Sequence, residues 1–152
     1  MKEKFISDSA EKTQEIGLEF AKKILEKLSD KSRVIVLCLR GELGGGKTTF
    51  LQGFAKGLEV KEKILSPTFA IFKKFNANSV VFFHFDCYRI SKPEEILELG
   101  FKEIIHPPAG SQKSIVAIEW PEKIKKYLPK NSLNIDFIFV DESKREIIFE
   151  TK

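Results

Sequence analysis

Val34-Ile35-Val36-Leu37-Cys38-Leu39-Arg40-Gly41-Glu42-Leu43-Gly44-Gly45-Gly46-Lys47-Thr48-Thr49-Phe50 is the stretch on which the fold turns. Its first six residues are β-branched or apolar without a break. That pattern predicts a strand buried on both faces. Residues 41–46 contain four glycines, and Phe50, Leu51, Phe54, Ala55 and Leu58 then recur at helical spacing, with Gly57 near the end. The order is strand, glycine-rich turn, helix. Gly41 to Thr48 matches G-x-x-x-x-G-K-[ST], in the context that motif requires.

The chemistry explains the residue types. A triphosphate carries several negative charges. Glycines let successive backbone N–H groups curl around them with no Cβ in the way, and the helix start adds its positive dipole end. Lys47 is placed to reach the β- and γ-phosphates, and the Thr48 hydroxyl to ligate Mg²⁺. The alternative reading is a glycine-rich strand-to-helix turn with no ligand.

Outward from this core, Asp8 reads as the cap of a first long helix, with Glu11 as its capping-box partner. Ile16, Phe20, Ile24 and Leu28 form its apolar stripe. Strands are expected around Thr68–Phe75 and Val80–Phe85, joined by a turn at residues 76–78. Pro93 opens a short helix from Glu94 to Leu99 that Gly100 stops. Ile115–Ile118 is another buried strand, and Pro121 opens a short helix through Tyr127. Leu133, Ile135, Phe137 and Phe139 alternate, the chain turns at Asp141–Lys144, and Ile147 and Phe149 return. The expected fold class is α/β: a P-loop NTPase-type three-layer fold with a mixed β-sheet and a C-terminal antiparallel hairpin. With no linker or internal repeat, residues 1–152 read as a single domain.

Composition narrows the function. The chain is 42% hydrophobic and 32% charged, which excludes a disordered chain, and its 14 Phe predict an aromatic-rich core. Net charge is only +4, and four basic residues are Arg, few for a phosphate-reading surface. Lys123, Lys125, Lys126 and Lys130 cluster on one short helix. They read as a solvated face, with an RNA or acidic-protein docking surface as the alternative. Cys38 and Cys87 are far apart and form no C-x-x-C pair, which fits a reduced compartment. The longest apolar run, Val34–Leu39, is far short of the roughly 20 residues of a membrane span. No membrane contact and a cytoplasmic setting are expected.

Two acids end strands and are candidates for the metal or its water: Asp86 after Val80–Phe85, and Glu119 after Ile115–Ile118. Each also has a plain reading, as a turn or cap residue and as a strand-end acid. Thr68, in Ser66-Pro67-Thr68, stands where a hydroxyl can sense a γ-phosphate, although Ser-Pro-Thr alone reads as a turn. Trp120 alone reads as a packing residue. His84 and His106 have no partner at metal-ligand spacing, so no zinc site is expected and His84 reads as packed beside its strand. The guanine-reading Asn-Lys-x-Asp segment is absent, which favours ATP.

Four segments together resemble the TsaE family (older name YjeE). They are Gly41–Phe50, Leu65-Ser66-Pro67-Thr68-Phe69, His84-Phe85-Asp86-Cys87-Tyr88-Arg89-Ile90 and Ile118-Glu119-Trp120-Pro121-Glu122, in the family's order. The resemblance runs over essentially the whole chain. It implies an ATPase, dependent on Mg²⁺ and needed for threonylcarbamoyl modification of tRNA adenosine. Such a protein acts with a TsaB–TsaD heterodimer, and any contact with tRNA is indirect. It implies Thr48 and Glu119 as metal ligands, Lys47 as the phosphate lysine, Asp86 as the acid near the γ-phosphate and Thr68 as a switch-type threonine. The nucleotide-binding set it implies is Leu43, Gly44, Gly45, Gly46, Lys47, Thr48 and Thr49, with Thr13, Trp120 and Arg145. Gly45 stands where the family commonly has alanine, Cys87 where it has leucine, and Phe75 near an expected tyrosine. The rival readings are a small-molecule kinase, which lacks an evident arginine-bearing lid here, a non-hydrolysing nucleotide-binding module, and a direct tRNA binder.

Overall fold

The computed structural model describes residues 2–42, 44, 46–65, 71–77 and 79–150. Its strands are β1 (Lys2–Ser7), β2 (Val34–Arg40), β3 (Phe72–Asn76), β4 (Val81–Asp86), β5 (Ser114–Glu119), β6 (Leu133–Phe139) and β7 (Arg145–Glu150). They form one mixed sheet in the order β1-β7-β6-β2-β5-β4-β3. The central strands β6, β2, β5 and β4 run parallel, while β3, β7 and β1 pair antiparallel. The most apolar strands, β2 and β5, lie in the middle, where both sheet faces are covered.

Helices α1 (Ala10–Lys27) and α2 (Lys47–Gly57) cover one face. Here Phe50 and Phe54 of α2, both wholly buried, pack with Phe20, Phe137, Phe149 and Phe82. The other face is covered by 3₁₀ helices Pro93–Leu99 and Pro121–Tyr127 and by α3 (Phe101–Ile105). There Ile96, Phe101, Ile105 and Ile124 pack on Val36, Cys38, Phe85, Val116 and Ile118. Alternation therefore assigns each strand residue to a layer.

Several expectations need correction. The chain does not start with the helix. β1 precedes it, held as an edge strand by a six-residue register with β7. The cap of α1 is Ser9, not Asp8: Ser9 is extended and its hydroxyl accepts from the Lys12 N–H at 3.0 Å. Both proline-initiated helices are 3₁₀. Gly100, at φ 80°, ends the first and starts α3, which was not foreseen. β3 is described from Phe72 to Asn76; residues 66–70, which hold the first part of the strand expected around Thr68–Phe75, lie outside the described residues. The C-terminal hairpin turns as expected, with Asp141 Oδ1 accepting from the Ser143 and Lys144 N–H groups. Among the described residues no helix is long and apolar enough to cross a membrane. In the lysine cluster, Lys126 pairs with Glu94 at 2.6 Å, as befits a solvated face.

The two helices of the first layer touch backbone to backbone. A Cβ on Gly17 would fall on the Phe50 carbonyl oxygen, and one on Gly53 on the Gln14 carbonyl oxygen. Neither obstacle is a side chain that can swing away. Gly53→Ala is therefore expected to lower stability by about 2–3 kcal/mol, the scale of an overpacked core. Urea denaturation checks this. An unchanged midpoint would contradict the contact.

Candidate functional site

β2 ends at Arg40, and α2 begins at Lys47. Between them the backbone takes conformations that suit glycine, with φ of 79° at Gly44 and 98° at Gly46. Gly46 is the N-cap of α2 and offers no side-chain cap to the helix's first N–H groups. A capped helix would spend those donors on itself; here no side chain caps them. Leu43 and Gly45 belong to the same loop by sequence but lie outside the described residues.

Lys47 is buried, only 5% exposed. Its Nζ donates to the Gly41 carbonyl oxygen and sits over the Trp120 ring, 4.0 Å from the centroid. Among the described residues no carboxylate stands within ion-pair distance of it. Burial pulls its pKa below the ordinary lysine value, opposed by the more distant Glu119, Glu122 and Asp86. The ammonium is thus partly desolvated and not neutralised by contact, an arrangement suited to an incoming anion.

Asp86 and Glu119 end neighbouring parallel strands and are direct register partners. Alternation along β4 and β5 turns both toward the layer that contains α2, as Phe82 and Ala117 turn on the same strands. Glu119 is buried, and its Oε2 lies 2.7 Å from His84 Nε2. Asp86 is half-buried, and its Oδ1 accepts from the Tyr88 N–H at 3.1 Å. Burial is the main cause that raises the Asp86 pKa. The Tyr88 bond opposes it and the nearby Glu119 adds to it. Cys87, next in the chain, is buried, with its thiol pushed up to about 12 by desolvation, and serves packing.

Trp120 follows Glu119 in the left-handed region (φ 59°, ψ 50°), where a bulky residue is strained. The turn lays its indole under Lys47 and against the Tyr88 ring at 5.1 Å. Trp120 is therefore more than the packing residue its isolation in sequence implied.

Two distant residues reach the loop. Thr13 of α1 is buried, and its hydroxyl bonds Ser7 Oγ at 2.7 Å and the Ser9 carbonyl at 3.2 Å. Its methyl faces Gly46, 3.8 Å from where a Cβ would lie. Arg145, which opens β7, donates from Nε to the Gly44 carbonyl at 3.2 Å and lays its guanidinium over the Phe139 ring. Thr48 and Thr49 are half-exposed in the first turn of α2. The structure thus brings Thr13, Gly44, Gly46, Lys47, Thr48, Thr49, Asp86, Glu119, Trp120 and Arg145 to one edge of the sheet. Thr68 lies outside the described residues. Sequence reasoning missed the His84–Glu119 contact. The sequence shows that His84 and Asp86, two apart on one strand, share a face, but the neighbourhood of Glu119 comes only from the β4–β5 register.

By its chemistry the donor set fits Mg²⁺: hard oxygens, the Thr48 hydroxyl at the start of α2 and the Glu119 and Asp86 carboxylates at adjoining strand ends. Among the described residues no group of three or more His, Cys, Asp or Glu side chains is assembled to hold a metal alone. Mg²⁺ usually needs only one or two carboxylates when phosphates supply the rest.

The family model described as "Threonylcarbamoyl adenosine biosynthesis protein TsaE" matches residues 7–147. A protein of Nostoc sp. named tRNA threonylcarbamoyladenosine biosynthesis protein TsaE is 39% identical over 111 residues, 73% of this chain and 67% of the relative. Its namesake in Treponema pallidum is 30% identical over 142 residues, 93% of this chain and 96% of the relative. The crystal structure of Bacillus subtilis YdiB superposes with a TM-score of 0.78 at 30% identity, covering 99% of this chain and 86% of that one.

The raised Asp86 pKa has a stability consequence. Ionising this carboxyl costs more in the fold than in the unfolded chain, so stability falls as pH rises from the ordinary value of 3.8 through the raised one. Asp86→Asn keeps an acceptor for the Tyr88 N–H and removes the charge. Its melting temperature is expected to exceed that of the wild type at neutral pH, with the gain vanishing below pH 3.8. Thermal unfolding at both pH values checks this, and a less stable variant at neutral pH would contradict it.

Proposed function

The chain belongs to the TsaE family, and from that premise we propose that it binds and hydrolyses Mg²⁺-ATP in the service of threonylcarbamoyl modification of tRNA adenosine. Relatives at 30–39% identity carry that pathway in their names. The observation that carries the ATPase reading is Lys47, a buried ammonium held by a carbonyl and an indole face beside an uncapped helix N-terminus.

In this reading the loop N–H groups and the start of α2 receive the phosphates. Lys47 Nζ gives up the Gly41 carbonyl for phosphate oxygens, which relieves its unneutralised burial. Thr48 and Glu119 hold the metal. Bound Mg²⁺ supplies charge neutralisation on the transferred phosphoryl group. Asp86, fixed through Oδ1 by the Tyr88 N–H, has its second oxygen to orient and deprotonate the attacking water. Its raised pKa makes it a better proton acceptor than an exposed Asp. Trp120 and Arg145 border the loop from opposite sides and limit where the nucleotide can lie.

Productive hydrolysis rests on a partner in this account. The site lies at an open sheet edge, and a TsaB–TsaD heterodimer seated on it would exclude water and complete it. The setting is cytoplasmic, and contact with tRNA passes through the partner.

The test is turnover of Mg²⁺-ATP by the full chain, alone and with TsaB–TsaD, together with tRNA modification in a reconstituted system. The wild type is expected to be slow alone and faster with the heterodimer. Lys47→Ala should lose nucleotide binding, and Asp86→Asn should keep binding while losing about 10²-fold or more in turnover. If Lys47→Ala left binding and modification unchanged, the reading would be wrong.

A further inference from the structure

His84 is fully buried, and its Nδ1 is a buried side-chain polar atom with no hydrogen-bond partner. No other described residue has such an atom. A histidine kept only for packing would not leave a ring nitrogen unpaired in the core, because leucine or phenylalanine fills such a space without that cost. What distinguishes His84 from an apolar residue is its other nitrogen, 2.7 Å from Glu119 Oε2.

The sheet explains how the contact arises. His84 lies directly opposite Ala117, and Asp86 directly opposite Glu119. The small Ala117 side chain leaves room for the imidazole to lean one register step along the sheet to the carboxylate. A glutamate side chain has three rotatable bonds, and one at a strand end would ordinarily turn to water. Here the carboxylate is buried, so it needs a donor from within the protein. Among the described residues His84 is the donor the structure provides, and its own position is fixed by burial within β4.

Resting on the ATPase reading above, we infer that His84 is the positioning residue of the metal site: its Nε2–H fixes the Glu119 carboxylate before the metal arrives. Carboxylates that ligate metals are themselves held by hydrogen bonds, and loss of such a partner typically lowers metal affinity or activity by about 10–100-fold. The assignment requires the proton to sit on Nε2, with the lone pair of Glu119 Oε2 accepting it. Nothing is asked of His84 toward the nucleotide itself.

Two measurements on the full chain test this. The first uses the wild type without metal. There are only two histidines, His84 and His106, so ¹⁵N–¹H correlation spectra can assign each ring. A proton on His84 Nε2 is expected; a ring carrying its proton on Nδ1 alone would overturn the inference, whatever the variants do. The second is a Mg²⁺ titration of nucleotide binding in His84→Leu and His84→Gln, with ATP affinity also measured in EDTA. His84→Leu should raise the Mg²⁺ midpoint about 10–100-fold and leave the metal-free affinity unchanged. His84→Gln, which places an amide N–H near the Nε2 position, should restore most of the loss. A merely structural role would move both affinities together and would not be rescued by Gln. An unmoved midpoint in His84→Leu, with ATP still bound, would overturn this inference alone. A wild type that binds no Mg²⁺-ATP would overturn the ATPase reading, and this inference with it.

Discussion

An ammonium ion buried without a carboxylate in contact is the constraint around which this protein is organised. Lys47 cannot face water freely, and among the described residues no acid stands within ion-pair distance of it. The fold tolerates it because a backbone carbonyl and an indole face supply partial negative charge without cancelling the ion. A carboxylate in their place would stabilise the empty protein and compete with any phosphate. The left-handed Trp120, the uncapped Gly46 and the buried Glu119 accompany this cation. Each is locally unfavourable, and each lies at the same sheet edge.

What makes such a site affordable is the body beneath it. β2 and β5 are buried on both faces, and the phenylalanine-rich layer under α1 and α2 fixes the start of α2 relative to the strand ends. The close approach of Gly17 and Gly53 to the opposite backbones brings α1 near enough for Thr13 to border the phosphate loop. The C-terminal hairpin contributes Arg145 in the same way, from the other side of β2. The site is therefore assembled from five regions of the chain, and its geometry depends on packing as much as on the loop.

How far the sequence could be read follows from which forces are local. The glycine turn between β2 and α2 was legible because its conformation is encoded in adjacent residues, Gly41 to Thr48. Asp86 and Glu119 were legible as strand-end acids, but their register was not, since it depends on β4 meeting β5 across a long intervening segment. β1 was invisible for the same reason: half of Lys2–Ser7 is charged, and pairing with β7 makes it a strand. α3 is a single turn, too short to show a period. Ser9 displaced Asp8 as the cap because β1 fixes where the chain enters α1. Gly17 and Gly53 look like ordinary helix interruptions until the partner helix is in view. The role of Trp120 depends on a backbone turn that its neighbours in sequence do not announce.

The most direct measurement is a structure of the chain determined with Mg²⁺ and a non-hydrolysable ATP analogue. The account requires the triphosphate in the loop between β2 and α2, Lys47 Nζ drawn off the Gly41 carbonyl onto phosphate oxygens, and Glu119 in the metal's coordination sphere. An analogue bound elsewhere, or Lys47 still seated on Gly41 and Trp120 with nucleotide present, would contradict it.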